Sequence, residues 1–143
     1  MEIKSKIIKE IPLVEKVDAQ LEVYLVDKKR YVVFWEDIIN KKNMMDVLEH
    51  LTRLTSTSAF SEWKTLIIVG RTKDEFKKGD LFFFDNVSTF AVFYLIDEET
   101  GKIYMDDSLI FTIGLNYRKV VRKINKILTG QEKIKNGQAI FNQ

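Results

Sequence analysis

The chain has 143 residues, 45% of them hydrophobic and 31% charged, with 23 Lys+Arg against 21 Asp+Glu for a formal net charge of +2. It has no Cys, one Pro (Pro12), six Gly and one His (His50). That excludes a disordered chain, a collagen and a disulfide scaffold, and the length suits one domain burying roughly 70% of its unfolded-chain surface. Without Cys there is no thiol nucleophile and no thiolate metal site, and a lone His cannot build a usual zinc site.

Ile3, Ile7, Ile8 and Ile11 recur at helical spacing, which predicts a short amphipathic helix over 2–10. Pro12 ends or kinks it. From Gln20 the period becomes two: Leu21, Val23 and Leu25 alternate with Glu22, Tyr24 and Val26. A polar break at Asp27-Lys28-Lys29-Arg30 precedes Tyr31-Val32-Val33-Phe34-Trp35, so 20–35 is expected to be a β-hairpin. Met44, Leu48, Leu51 and Thr55, with Met45, Val47 and Leu54, mark one apolar face of a helix, with Asn43 as its N-cap. Thr55-Ser56-Thr57-Ser58 is a poor helix interior because hydroxyls compete for the backbone.

Lys64 to Gly70 is a β-branched run, expected as a strand buried on both faces. Thr72 and Glu75 have capping-box spacing for a single helical turn. Leu81 to Phe84 is read as extended or as a short helix. Val87 to Ile96 is the strongest strand signal and implies a central position. Asp97-Glu98-Glu99-Thr100-Gly101 is a hairpin loop with Gly101 at positive φ, and Lys102 to Met105 pairs back. Leu109 to Ile113 is a further short strand. A helix from Tyr117 to Leu128 buries Val120, Val121, Ile124, Ile127 and Leu128, with Gly130 as a natural stop.

The order of elements predicts a single α+β domain over 1–130, followed by a loosely held polar tail over 131–143. Its sheet is antiparallel or mixed, of about five to six strands, with two main helices and a short N-terminal helix on one face.

Four short patterns carry potential chemistry. Tyr104-Met105-Asp106-Asp107 is spelled like the Tyr-x-Asp-Asp hairpin of reverse transcriptases, where paired carboxylates hold divalent metals. An ordinary turn whose acids cap amides explains the same letters. Glu62-Trp63-Lys64 matches the Glu-x-Lys half of a restriction-like nuclease site and needs a partner such as Asp37, Asp46 or Asp85. A helix-to-strand junction, with Trp63 as a core anchor and Lys64 solvated, is the plainer explanation. His50 lies one helical turn from Asp46, which would raise its pKa if the two pair. Gly70-Arg71-Thr72 follows a strand and would offer amides to an anion if it forms a loop. No P-loop or Gly-x-Gly-x-x-Gly occurs.

Charge is segregated. Residues 117–135 hold seven cations against Glu132, a local +6, and the other 16 cations and 20 acids leave residues 1–116 at −4. Arg118, Lys119, Arg122 and Lys126 share a side opposite the apolar stripe, which suits phosphates or an acidic partner. A solvated helix face is the plainer explanation. Phe82, Phe83, Phe84, Phe90, Phe93 and Tyr94 crowd a short stretch, and alternation puts Phe83 opposite Phe82 and Phe84, so part is core and part, with Phe82, Phe83 and Phe84, a candidate interface.

The stretches Glu62 to Gly70, Phe84 to Phe90, Tyr104 to Ser108 and Leu115 to Lys119 resemble the small middle components of bacterial ABC-three-component systems. The resemblance covers about half the chain and implies an accessory subunit beside an ATPase in a conflict or defence system. It carries no catalytic residues.

The expectation is a non-catalytic accessory subunit without cofactor or metal. It would dock on a larger subunit or on itself through Phe82, Phe83, Phe84 and the basic helix. The first alternative is a carboxylate-dependent metal nuclease or nucleotidyl-transfer enzyme using Asp106, Asp107, Asp85 and Glu62. The second is a nucleic-acid-binding module using the last helix. The opening Met1 to Lys6 lacks the apolar run of a signal peptide, and the longest apolar stretch, about Phe90 to Ile96, falls short of the roughly 20 residues a membrane span needs. The cytoplasm is therefore the expected compartment.

Overall fold

A computed structural model describes residues 2–11, 15–16, 22–27, 30–55, 64–84, 89–105, 123–128 and 130. Helix α1 (Glu2–Glu10) leads into β1 (Glu15–Lys16), β2 (Glu22–Asp27) and β3 (Arg30–Ile38). Helix α2 (Met44–Leu54) connects β3 to β4 (Lys64–Thr72). A 3-10 turn (Lys78–Leu81), β5 (Phe82–Phe84), β6 (Thr89–Asp97) and β7 (Ile103–Tyr104) follow, and residues 123–128 are helical.

The sheet runs β1-β2-β3-β4-β6-β5, with β7 pairing β6 beyond β5. β3, β4 and β6 are mutually parallel, and every other pairing is antiparallel. The chain is a single-domain α+β fold on a mixed sheet. Among the described residues five strands have three residues or more, and the two-residue β1 and β7 bring the number to seven. β7 is the hairpin return expected after Asp97, and Gly101 turns it at φ 75°. Asp97 Oδ1 accepts the amides of Glu99 (3.0 Å) and Thr100 (3.3 Å) and so shapes the loop.

The helices do not share one face. Strand alternation splits the buried residues into two clusters. Val32, Phe34, Ile67, Val69, Val92, Tyr94 and Ile96 face Ile3, Ile7 and Ile11 near α1 and Ile124 and Leu128 of the last helix. Tyr31, Val33, Leu66, Ile68, Ala91, Phe93 and Leu95 face Met44, Val47 and Leu51 of α2. The reason is topological: β3, β4 and β6 are apolar on both sides, so each side requires a cover.

Asn43 starts α2 but makes no side-chain cap bond. Asn40 does that work from three residues upstream: its Oδ1 accepts the amides of Lys42 and Asn43, both at 2.9 Å. Asn43 Nδ2 donates instead to the Ile38 carbonyl at 2.8 Å. The helix ends where the hydroxyl run begins, with Thr55 Oγ1 donating to the Leu51 carbonyl at 2.7 Å.

Thr72 and Glu75 form no helical turn. Thr72 Oγ1 accepts the Asp74 amide at 3.1 Å, and a single 3-10 turn lies later, at Lys78–Leu81. Gly70-Arg71-Thr72 is no anion loop either, because all three residues pair with β6 inside β4. Gly70 is needed for a close approach: a Cβ there would meet Ile39 Cδ1 at 2.8 Å. Gly130, expected to stop the last helix, is still helical. The readings at Pro12, at Leu109 to Ile113, at 117–122 and over 131–143 fall outside the described residues.

Asn125 is buried on the last helix, 6% exposed, and among the described residues neither of its amide atoms has a hydrogen-bond partner. A buried amide left unpaired costs about 1–3 kcal/mol. Asn125→Leu, which keeps the side-chain branching and removes both polar atoms, is therefore expected to raise stability by about 1 kcal/mol, read as a higher Tm in a thermal melt.

Candidate functional site

The carboxyl ends of parallel strands are where open α/β sheets usually place ligands. Here β3 and β4 end beside a cleft of about 290 Å³ lined by Lys4, Glu22, Phe34, Trp35, Glu36, Arg71 and Glu98. These residues come from α1, β2, β3, β4 and the loop after β6. Glu22 is the register partner of Phe34, which places both on the α1 side of the sheet.

Glu22 is the most heavily engaged group. Its carboxylate accepts from the Tyr24 hydroxyl and pairs with Lys4 Nζ and Lys16 Nζ, each at 3.3 Å. Lys4 Nζ also lies 6.0 Å from the centre of the Phe34 ring, within cation–π range. Tyr24 meets the same ring edge-on at 6.0 Å. The hydrogen bond from Tyr24 lowers the Glu22 pKa below the ordinary 4.5; partial burial opposes this, and Lys4 and Lys16 add to it. The same bond raises the Tyr24 phenol above its ordinary 10.0.

A carboxyl group whose folded pKa is depressed contributes stability above its unfolded value and loses it as pH falls through the folded value. Glu22→Gln is therefore expected to flatten the acid limb of the stability curve below about pH 4.5. Urea midpoints measured from pH 7 down to pH 3 should converge for the two proteins at the acid end.

Arg71 closes the other side. The register of β3 against β4 shifts between Phe34 and Ile38, so the Glu36 carbonyl lies where the ladder is irregular. The Arg71 guanidinium donates to that carbonyl, and its other arm stands 3.6 Å from Glu98 Oε2. This ties the ends of β3 and β4 to the β6–β7 loop.

The residues singled out in the sequence are placed elsewhere or fall outside the described set. Asp106, Asp107, Asp85 and Glu62 lie outside it, as do Arg118, Lys119 and Arg122. Among the described residues no three His, Asp or Glu side chains gather at metal-holding distances. Tyr104 is buried against Phe76 with ring centroids 5.9 Å apart, so the aromatic residue of the Tyr-x-Asp-Asp pattern belongs to the core on the α2 side. His50 is exposed on α2, its ring edge-on to Trp35 at 6.0 Å.

Phe82 meets Phe90 edge-on at 4.7 Å on the α1 side, and Phe83 meets Phe93 at 5.6 Å on the α2 side. Both remain half-buried, and Phe84 pairs with Phe90 in the ladder. On the last helix Ile124 and Leu128 are fully buried, whereas Lys123 and Lys126 are exposed. Lys123 Nζ reaches the Glu10 carbonyl at 3.5 Å.

The cleft was not foreseen. Its members are scattered between positions 4 and 98, and no local pattern joins them. Glu22, a lone acid in an alternating strand next to Tyr24, was the one available signal.

Among the described residues no helix is long and apolar enough to cross a membrane. No protein-family model matches this chain, and no curated protein or solved structure matches it with significance.

Proposed function

We propose that this chain is a non-catalytic interaction component, an accessory subunit of a bacterial cytoplasmic system. It docks on a larger protein subunit, or on a second copy, through its basic last helix and the β5 phenylalanines. The observation that carries this reading is the polarity of the last helix. Ile124 and Leu128 fix it to the sheet, and Lys123 and Lys126 are left exposed. An anchored helix with outward cations is a ready surface for an acidic partner.

The cleft supports the non-catalytic part. General acid–base work favours a group that titrates near the working pH. Glu22 is held ionised and Tyr24 is held neutral, each by the other and by neighbouring lysines on the carboxylate. Arg71 is engaged by a carbonyl and Glu98.

The test is charge reversal. Lys123→Glu with Lys126→Glu, extended to Arg118→Glu and Arg122→Glu, is expected to abolish self-association or capture of the partner while the fold is retained. Light scattering of the purified chain and quantitative affinity capture from native cells provide the readouts. A parent chain that is strictly monomeric, and whose captured set matches that of the reversed variant, would refute the reading.

The same outward lysines favour one second reading, contact with nucleic-acid phosphates. Binding of that kind falls steeply with salt. A gel-shift series across salt concentrations, lost on charge reversal, separates it from protein docking.

A further inference from the structure

The cleft already holds a cation of its own. Lys4 Nζ sits between the Glu22 carboxylate at 3.3 Å and the face of Phe34 at 6.0 Å. A carboxylate bonds an ammonium group with charge assistance, and an aromatic face attracts the same charge. We propose that this cleft is a binding site for a primary ammonium group, with Lys4 as a built-in occupant that an external ligand displaces. The inference rests on reading the cleft as a binding site rather than a catalytic one, and is independent of docking by the last helix.

Three features support it. First, the anchor is prepared before any ligand arrives. Tyr24 donates to Glu22 from one side and Lys16 pairs with it from another, so the carboxylate keeps two partners and its orientation when Lys4 leaves. Second, further negative charge surrounds the opening. Glu36 and Glu98 line it, and Arg71 pairs with Glu98. Losing Lys4 leaves three glutamates against Arg71 and Lys16, so the cleft keeps a net negative charge. Third, the occupant can be released without unfolding its helix. α1 is held by Ile3 and Ile7, buried in the core cluster, whereas Lys4 is partly exposed and contributes only its side chain. Partly exposed ion pairs are weak, about 0–1 kcal/mol, so a competing ammonium faces a modest barrier.

Small amines and lysine side chains of a polypeptide share this head group. The experiment separates them. The whole chain and its Lys4→Met and Glu22→Gln variants are titrated with n-butylammonium chloride, with the peptide acetyl-Ala-Lys-Ala-amide and, as the opposite charge, with sodium acetate. Binding is followed by the amide NMR signals of Glu22 to Tyr24 and Phe34 to Glu36. Both ammonium probes are expected to shift these signals. Lys4→Met, with the competitor gone, should bind them about two- to fivefold more tightly, as loss of a partly exposed ion pair allows, and Glu22→Gln should lose binding.

Equal affinity for both probes supports a site for free amines. Tighter binding of the peptide supports a site for an exposed lysine of a partner. The proposal is overturned if Lys4→Met binds neither probe, or binds no more tightly than the parent. It is also overturned if Glu22→Gln retains binding, or if acetate shifts the same signals more strongly than the amines. Circular dichroism of both variants checks that the fold is intact, and the single Lys4→Met substitution suffices if Glu22→Gln fails to fold.

Discussion

Phe93→Ala is expected to remove about 3–5 kcal/mol of stability, the usual cost of a buried Phe-to-Ala truncation. Phe93 is fully buried in β6, between β4 and the β5 edge, and faces α2. It pairs with Ile68 across the parallel ladder and meets the Phe83 ring at 5.6 Å, inclined at 77°. A domain of this size is stable by about 5–15 kcal/mol, so the variant should be marginal at body temperature and best studied in the cold. Phe83→Ala, at the half-buried edge, is expected to cost clearly less. Urea unfolding of both variants checks the ranking. The double variant should show an aromatic coupling of about 0.5–1.5 kcal/mol. A Phe83→Ala cost equal to that of Phe93→Ala would assign β5 wholly to the core and remove it as an interface.

Most of the fold was legible because its signals are local. The spacing of Ile3 and Ile7 marks α1, and Met44, Val47 and Leu51 mark α2. Asp97 to Gly101 has the turn chemistry of a hairpin, and the turn forms there. What was not legible is long-range. A continuous apolar run such as Leu66 to Val69 says that a strand is buried, but not that helices lie on both of its faces. The two-residue β1 has no periodicity to detect. The cleft is less legible still. Lys4 meets Glu22 only because α1 packs over β2 and β3, and Arg71 meets Glu36 only at a register shift between parallel strands. Asn43 shows the same limit at short range. The residue type was right for a cap, but Asn40 reaches the amides first.

The two-faced core has a direct energetic consequence. Ile7 on α1 and Leu51 on α2 are both fully buried, and they belong to different clusters on opposite sides of one sheet. Each substitution to Ala is expected to cost about 2–5 kcal/mol. Residues that share no partners and are well separated add to within about 0.5 kcal/mol. The double variant should therefore lose the sum of the two, enough to unfold much of the population of a domain with ordinary stability. A double-mutant cycle in urea reads the coupling directly. If both helices lay on one face, Ile7 and Leu51 would share neighbours, and relaxation into a common cavity would make the costs non-additive. A coupling near zero therefore follows from helices on opposite faces. A coupling well above 0.5 kcal/mol would mean that the sheet transmits the strain of one cavity to the other. In that case α1, and the Lys4 it carries into the cleft, would be mechanically linked to α2.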